Sequence, residues 1–373
     1  MKNPHHLTVS IPNSTKTLGG DRVFVIAEIG KNFIQSKEDK SVEEYLKNAK
    51  ALVDAAVSAG VDAVKFQTHE VEDEVLEIDF TSPHFNSSDR YSWVTRNMNA
   101  TPLDDFWRPI KKYCDEKNVM FFSTPMSRLA AKKLEKVGDI NLWKVGSGDV
   151  QDYVLLDHII DSKKPVIIST GMVSLDELDE IVTYIDGRIP LIILYCISQY
   201  PCPPEMFNLS TIEYLREKYP DLIIGFSDHS VDGFEVDLAA IKMGARVVEK
   251  HFSFDRNLWG SDHKASILPL EMKEMVEAIR NEDFKKVDVS PYYGRKEKEF
   301  EGVKNIHRPY FNKALMAGCD IDKGTVVTED MVYAMRPVVL AGGLPANCLK
   351  NIVGKKTLVC LKKYDPFTEK VAS

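Results

Sequence analysis

Short, nearly continuous apolar runs recur along the chain. They are RVFVIAEIG (22–30), VDAVKFQT (61–68), VMFFSTP (119–125), LWKVGSG (142–148), PVIIST (165–170), LIILYC (191–196), LIIGFSD (222–228) and ARVVEKHF (245–252). Runs without strict alternation mark strands buried on both faces, as in a parallel sheet. Segments of helical period separate them. SVEEYLKNAKALVDAAVSAG begins with Ser41 and Glu44, places apolar residues at Val42, Tyr45, Leu46, Ala49, Leu52, Val53 and Ala56, and stops at Gly60. Such a pattern has the start of a capping box and a glycine stop. SLDELDEIVTYI repeats the start signal with Ser174 and Glu177. Further helices are predicted over 104–117, 127–137, 152–162, 209–218, 231–243 and 269–281.

Eight strand–helix units predict an α/β chain folded as a (β/α)8 TIM barrel. An open doubly wound sheet is the alternative. No GxGxxG follows any strand, which weighs against a dinucleotide site. The segment 70–103, rich in Ser, Pro, Asn and Asp, reads as an insertion over one barrel mouth. The pattern breaks after residue 284. Residues 1–284 are therefore expected to form the barrel, 285–312 a charged linker, and 313–373 a small second domain that would be marginal alone.

Composition narrows the classes. The net charge of −8 argues against a nucleic-acid partner, so any anion must meet a local basic pocket. The six cysteines form no CxxC pair, so neither a zinc knuckle nor a redox motif is expected, and scattered thiols fit a reducing cytoplasm. The first twenty residues lack the apolar stretch of a signal peptide, and no apolar run approaches the roughly 18 residues of a membrane span.

Barrel chemistry gathers at the C-terminal strand ends. Those ends carry Glu28; Lys65 and Gln67; Ser123 and Thr124; Lys144 and Ser147; Ser169 and Thr170; Ser227, Asp228 and His229; and Glu249, Lys250 and His251. The sixth strand is followed by Ser198 and Tyr200. Lys65 and Lys144, with hydroxyls from Thr124, Ser147, Ser169 and Ser227, suit a bound phosphate or carboxylate. One lysine in a strand is as often a salt-bridged residue; two on separate strands of one barrel favour an anion site. His229 and His251 end neighbouring strands, so two imidazoles with nearby oxygens suit a divalent cation such as Mn2+ or Mg2+ with open positions. Glu28, inside the run VIAEIG, is a candidate acid or base, as are Asp149 and Asp262; a salt bridge is the bland reading of each.

These residues sit in motifs that resemble the sialic acid synthase family of nonulosonic acid synthases. The matching stretches are FVIAEIG, AGVDAVKFQ, FFSTP, KVGSGD, PVIISTGM, YP at 200–201, IGFSDHS, and VEKHF followed by GSDHKAS. DIDKGTVVTEDM, MRP and IVGKK also resemble the family's C-terminal antifreeze-like (SAF, β-clip) domain.

The resemblance implies condensation of phosphoenolpyruvate with an N-acetylated mannosamine-type sugar, with release of phosphate. Lys65, Thr124, Lys144, Ser147, Ser169 and Ser227 would hold phosphoenolpyruvate. His229 and His251 would bind the metal. Gln67, Ser198, Tyr200 and Asp262 would face the sugar, and Arg336 would touch its acetamido group. Glu28 and Asp149 would manage protons or the attacking water. The implied assembly is a homodimer that exchanges its C-terminal domains.

The sugar side departs from the family pattern. KNFIQ follows AEIG where an Asn-His pair and a nearby Gly are usual, CISQYP replaces CTxxYP, and VVLAGGLPA follows MRP. Legionaminic or pseudaminic acid synthesis from a 6-deoxy diacetamido sugar is thus an open alternative. A Schiff-base aldolase using Lys65 or Lys144 would not need paired histidines. An ice-binding role for the tail is disfavoured by the charges in DIDKGTVVTED.

Overall fold

The computed structural model describes residues 7–83, 85, 87–203, 206–231, 233–295 and 306–369. A short antiparallel hairpin, β1 (Thr8–Ser10) and β2 (Thr17–Gly19), comes first. Eight parallel strands follow: β3 (Phe24–Gly30), β4 (Ala63–Thr68), β5 (Met120–Pro125), β6 (Trp143–Val145), β7 (Val166–Ser169), β8 (Leu191–Cys196), β9 (Ile223–Asp228) and β10 (Val247–His251). Their hydrogen-bonded order is β5-β4-β3-β10-β9-β8-β7-β6. The first and last of the eight are thus neighbours, and β5 and β6, at the two ends of that order, also pack together. The result is a barrel-like parallel sheet with one helix or more between most successive strands, as the eight apolar runs predict.

Two cores explain why the strands read as continuous apolar runs. Inside the sheet, Phe24, Ile26, Ala63, Phe122, Ile167, Ile192, Ile223 and Val247 form one buried cluster, closed at its floor by Ile11 and Leu18 of the N-terminal segment. Outside it, alternate residues such as Val25, Ala27, Val64 and Ile168 pack against the helices. A strand buried on both faces has no polar side to display. The hairpin that plugs the floor has no counterpart in the sequence reading, because three-residue strands carry too short a pattern to show a period.

The helix starts follow local chemistry. Ser174 caps the helix Leu175–Ile185 with both halves of a capping box in place. At Ser41 only one half forms: its hydroxyl accepts from the Glu44 backbone N–H at 3.2 Å. Within the segment 70–103 stand the short helix Val71–Glu74 and the helix Arg90–Ala100, and Arg90 reaches the barrel mouth as the expected insertion would.

Beyond the barrel, β11 (Ala314–Ala317) pairs antiparallel with β12 (Val332–Met335). Isolated bridges such as Ile321 to Leu361 and Val326 to Lys356 tie the rest of this segment together. It docks on the barrel through Arg128, which donates to the carbonyls of Glu329 and Val332 at 2.8 and 2.9 Å. Val75 of the insertion bridges to Arg336. Part of the expected linker, residues 296–305, lies outside the described residues. The remainder is less of a spacer than its charge suggests, since it includes the short helix Arg308–Phe311.

Candidate active site

Side chains alternate in direction along a strand, so residues two apart share a face. Past the apolar layer the inward positions turn polar: Lys65 and Gln67, Ser227 and His229, Glu249 and His251. They meet in one cavity together with Glu28, Thr124, Lys144, Ser147, Asp149, Ser169, Tyr200, Asp262 and Arg336. Thus fourteen of the fifteen residues predicted from strand ends and motifs line a single space. Ser198 is the exception. Its buried hydroxyl sits in the wall beside Gly171, where a Cβ would come within 2.3 Å of it.

One wall of the cavity is cationic. Lys65 Nζ lies 2.7 Å from Glu28 Oε2 and 3.6 Å from Glu249 Oε1, and donates to Thr124 Oγ1 at 3.2 Å. Lys144 Nζ donates to Ser169 Oγ at 2.7 Å and stands 3.9 Å from Glu249 Oε1. Ser227 Oγ donates to Glu249 at 3.2 Å, and the Ser147 hydroxyl accepts from the Gly171 N–H at 3.0 Å. Both lysines are buried. Burial lowers Lys144, whereas Glu249 and Glu28 outweigh burial at Lys65 and raise it.

The carboxylates differ in state. Burial raises Glu28 to about 7 against the pull of Lys65, while Gln67 Nε2 donates to it at 2.8 Å. Glu249 is driven up by burial, but Lys144 and Lys65 prevail and hold it below the usual range. Gly30 has φ +55°, and a Cβ there would come within 3.2 Å of both Gln67 and Glu28, so glycine lets the turn pass close behind the pair.

Opposite stand the imidazoles. Their ring centroids are 5.5 Å apart, with Tyr200 packed 4.0 Å from His229. His229 Nδ1 donates to the Ile197 carbonyl at 2.7 Å, which leaves Nε2 as the lone-pair nitrogen. Burial lowers His251 to about 3, so its ring is neutral near pH 7, and its buried Nδ1 has no hydrogen-bond partner. Among the described residues no group of three or more ligating side chains stands together. Two imidazoles, the neutral His251 ring with an orphaned nitrogen and His229 with Nδ1 held by a backbone carbonyl, fit a cation whose remaining positions are filled by substrate or water. Asp228 and Lys250 point the other way. They pair with each other behind the wall, with Asp237 3.2 Å from Lys250, and so tie β9 to β10 beneath the histidines.

The third wall comes from loops. Arg336 is hydrogen-bonded to Asp149, which also pairs with Lys313 at 2.9 Å. Lys31, Arg90, His307 and Phe311 complete it. None of these four was singled out by the sequence, nor was Glu249 assigned a site role. Glu249 had a signal, two residues before His251 on the same face. Arg90, His307 and Phe311 lie in non-periodic segments and had none.

Comparison with known proteins fits this geometry. The NeuB family profile matches residues 52–287. The chain belongs to the NeuB family. This is the sialic acid synthase family that the strand-end motifs resemble. The chain is 32% identical to the spore coat polysaccharide biosynthesis protein SpsE of Bacillus subtilis, over 87% of this chain and 86% of that one. The crystal structure of that protein superposes with a TM-score of 0.76, covering 98% of this chain and 99% of the other. Human N-acetylneuraminate-9-phosphate synthase is 30% identical over 93% and 92% of the two chains. Pseudaminic acid synthase of Campylobacter jejuni is 32% identical over 90% and 92%.

Proposed function

We propose that the protein condenses phosphoenolpyruvate with an N-acetylated mannosamine-type sugar to give a nonulosonic acid and phosphate. The observation that carries this reading is the convergence of Lys65, Lys144 and four hydroxyl residues opposite His229 and His251 in one cavity, in a chain related to synthases of N-acetylneuraminate 9-phosphate and pseudaminic acid.

Lys65 and Lys144, with Thr124, Ser147, Ser169 and Ser227, would hold the carboxylate and phosphate of phosphoenolpyruvate in preorganised positions. Gln67, Tyr200, Asp262 and Arg336 would orient the open-chain sugar, and Ser198 would act from the wall behind. Carbon 3 of phosphoenolpyruvate attacks the sugar aldehyde, forming the carbon–carbon bond and leaving positive charge at carbon 2. Water adds there and one of its protons goes to the alkoxide left on the former aldehyde oxygen; the new hydroxyl gives up the other as the carbon–oxygen bond to phosphate breaks and the ketone forms. Glu28 would take or give protons at this step. Asp149, already bonded to Arg336 and Lys313, is better placed to anchor them than to accept a proton. His229 and His251 would hold Mn2+ or Mg2+, whose chemistry when bound is to polarise the aldehyde oxygen.

We further read residues 1–284 as the catalytic domain, 285–312 as the connection and 313–373 as a SAF-type, β-clip domain whose Arg336 meets the sugar's acetamido group. Within one chain this segment reaches its own barrel through Lys313 and Arg336. In an exchanged homodimer the same contacts would run between copies. Six free thiols support a cytoplasmic location. No helix among the described residues is long and apolar enough to cross a membrane.

The test is phosphate release from phosphoenolpyruvate across N-acetylated hexosamines and their 6-deoxy diacetamido relatives. Release with at least one sugar and none without sugar is expected; an activity that survives EDTA and is trapped by borohydride would indicate the aldolase instead. Arg336→Ala is expected to raise the KM for the sugar about tenfold, the loss of one charge-assisted contact, and that for phosphoenolpyruvate much less. Equal losses for the two substrates would assign Arg336 a structural role.

A further inference from the structure

Two cations on the loop wall have no use in the mechanism above. Lys31 follows the turn at Gly30, and Arg90 opens the helix Arg90–Ala100 of the insertion. Both line the cavity, yet both are buried, at 6% and 5% exposure. Among the described residues, neither the Lys31 ammonium nor the Arg90 guanidinium donates a hydrogen bond, and Arg90 Nε is a buried donor without a partner. Their nearest carboxylates stand beyond hydrogen-bond reach: Asp262 is 3.9 Å from Lys31 Nζ, and Glu74 is 3.6 Å from Arg90. Glu74 is moreover engaged by His69 Nδ1, at 3.0 and 2.8 Å from its two oxygens. Aromatic faces give partial relief, with Trp93 5.8 Å from the Lys31 ammonium and Phe311 5.0 Å from the Arg90 guanidinium.

A buried cation with unspent donors is costly, and two of them facing one cavity are more so. Neighbouring guanidinium groups disfavour each charge further, Arg90 that of Lys31 and Arg336 that of Arg90. Burial lowers Lys31, with Asp262 opposing and Arg90 adding to the fall; burial and the nearby Arg336 bring Arg90 to about 10. A ligand that supplies anionic acceptors between them removes both penalties. Phosphoenolpyruvate does not fill this need, because its two anionic groups are met by Lys65, Lys144 and the hydroxyls. An ammonium beside a guanidinium fork is suited to tetrahedral phosphate.

We infer that the sugar substrate carries an anionic, phosphate-type substituent remote from its aldehyde, and that Lys31 and Arg90 read it. This rests on the sugar-condensing reading above. The departure at KNFIQ would then be a specificity device rather than a loss, since it is the stretch that supplies Lys31.

The experiment compares kcat/KM for N-acetylmannosamine, its 6-phosphate, the corresponding uronic acid and a 6-deoxy diacetamido hexose, with phosphoenolpyruvate saturating. The 6-phosphate is expected to exceed the neutral sugars by at least about tenfold. The uronic acid in first place would keep the anion and replace phosphate by carboxylate. Lys31→Met and Arg90→Met should each reduce the ratio of phosphorylated to neutral sugar about tenfold, and Arg90→Lys should retain part of it. A neutral sugar preferred by the unmodified protein overturns the inference while leaving the condensation intact. So does a selectivity ratio that neither methionine variant moves. No phosphate release with any sugar removes the condensation reading and this inference with it.

Discussion

Replacing Lys65 by methionine is expected to lower kcat/KM for phosphoenolpyruvate about a thousandfold or more, roughly 4 kcal/mol of transition-state stabilisation. The buried ammonium touches three partners at once, Glu28, Glu249 and Thr124. Its removal takes a positive charge from the anion wall and leaves two buried carboxylates facing each other. Glu28 should then rise further, because Lys65 is the main force opposing its burial. Lys65→Arg should recover only part of the loss, since a planar guanidinium fork does not reproduce the contacts of a compact ammonium held between Glu28, Glu249 and Thr124. The measurement is steady-state phosphate release with circular dichroism to establish folding. Activity within tenfold of the unmodified protein would remove Lys65 from the anion site. The same variant also decides how the C-terminal segment is shared. Mixed with Arg336→Ala protein and refolded together, exchanged dimers contain one intact site and regain the low sugar KM of the unmodified protein, which neither variant shows alone. Chains closed by their own segment do not.

The barrel and most of its site were legible because both depend on local pattern. A strand buried on two faces must be apolar throughout, so a hydroxyl or charge at its end stands out, as in IGFSDHS and VEKHF. Period two then selects which of those residues face inward. Ser227 and His229 line the cavity while Asp228, between them, pairs with Lys250 behind the wall. The polar run Ser227–His229 therefore holds two sets of residues with opposite tasks. Glu249 and Lys250 show the same division. What stayed hidden depends on contacts distant in sequence. Asp149 at the end of KVGSGD reads equally as a base or a salt-bridged residue; only the packing of residues 313 and 336 shows it paired with two cations. Arg90 lies in an insertion whose polar composition predicts a loop, and nothing local shows that it is buried. His307 and Phe311 were assigned to a linker because charge masks their role in the wall. Ser198, chosen for its place after the strand, fails to reach the cavity because Gly171 lets it pack into the wall.

Substituting His251 by alanine should abolish turnover, by about a thousandfold or more, while leaving the fold in place. The fold should survive for two reasons. The ring is neutral near pH 7, so no buried charge is orphaned, and its Nδ1 makes no hydrogen bond that would be lost. The strand itself is held by the pairing of Val247–His251 with both β3 and β9, through backbone groups that alanine retains. Function should not survive, because the His251 imidazole is gone and, among the described residues, no group of three ligating side chains stands there to compensate. The readout separate from turnover is Mn2+ binding, followed by the loss of the free-ion signal in electron paramagnetic resonance: the unmodified protein should titrate it and His251→Ala should not. Phosphoenolpyruvate affinity measured without metal should change little, since Lys65, Thr124, Lys144 and Ser169 lie on β4 to β7 and the alanine leaves Ser227 and Glu249 on the histidine strands in place. Normal turnover in the variant would make the metal assignment wrong. Unchanged Mn2+ binding with lost turnover would move His251 from ligand to a residue that contacts the sugar.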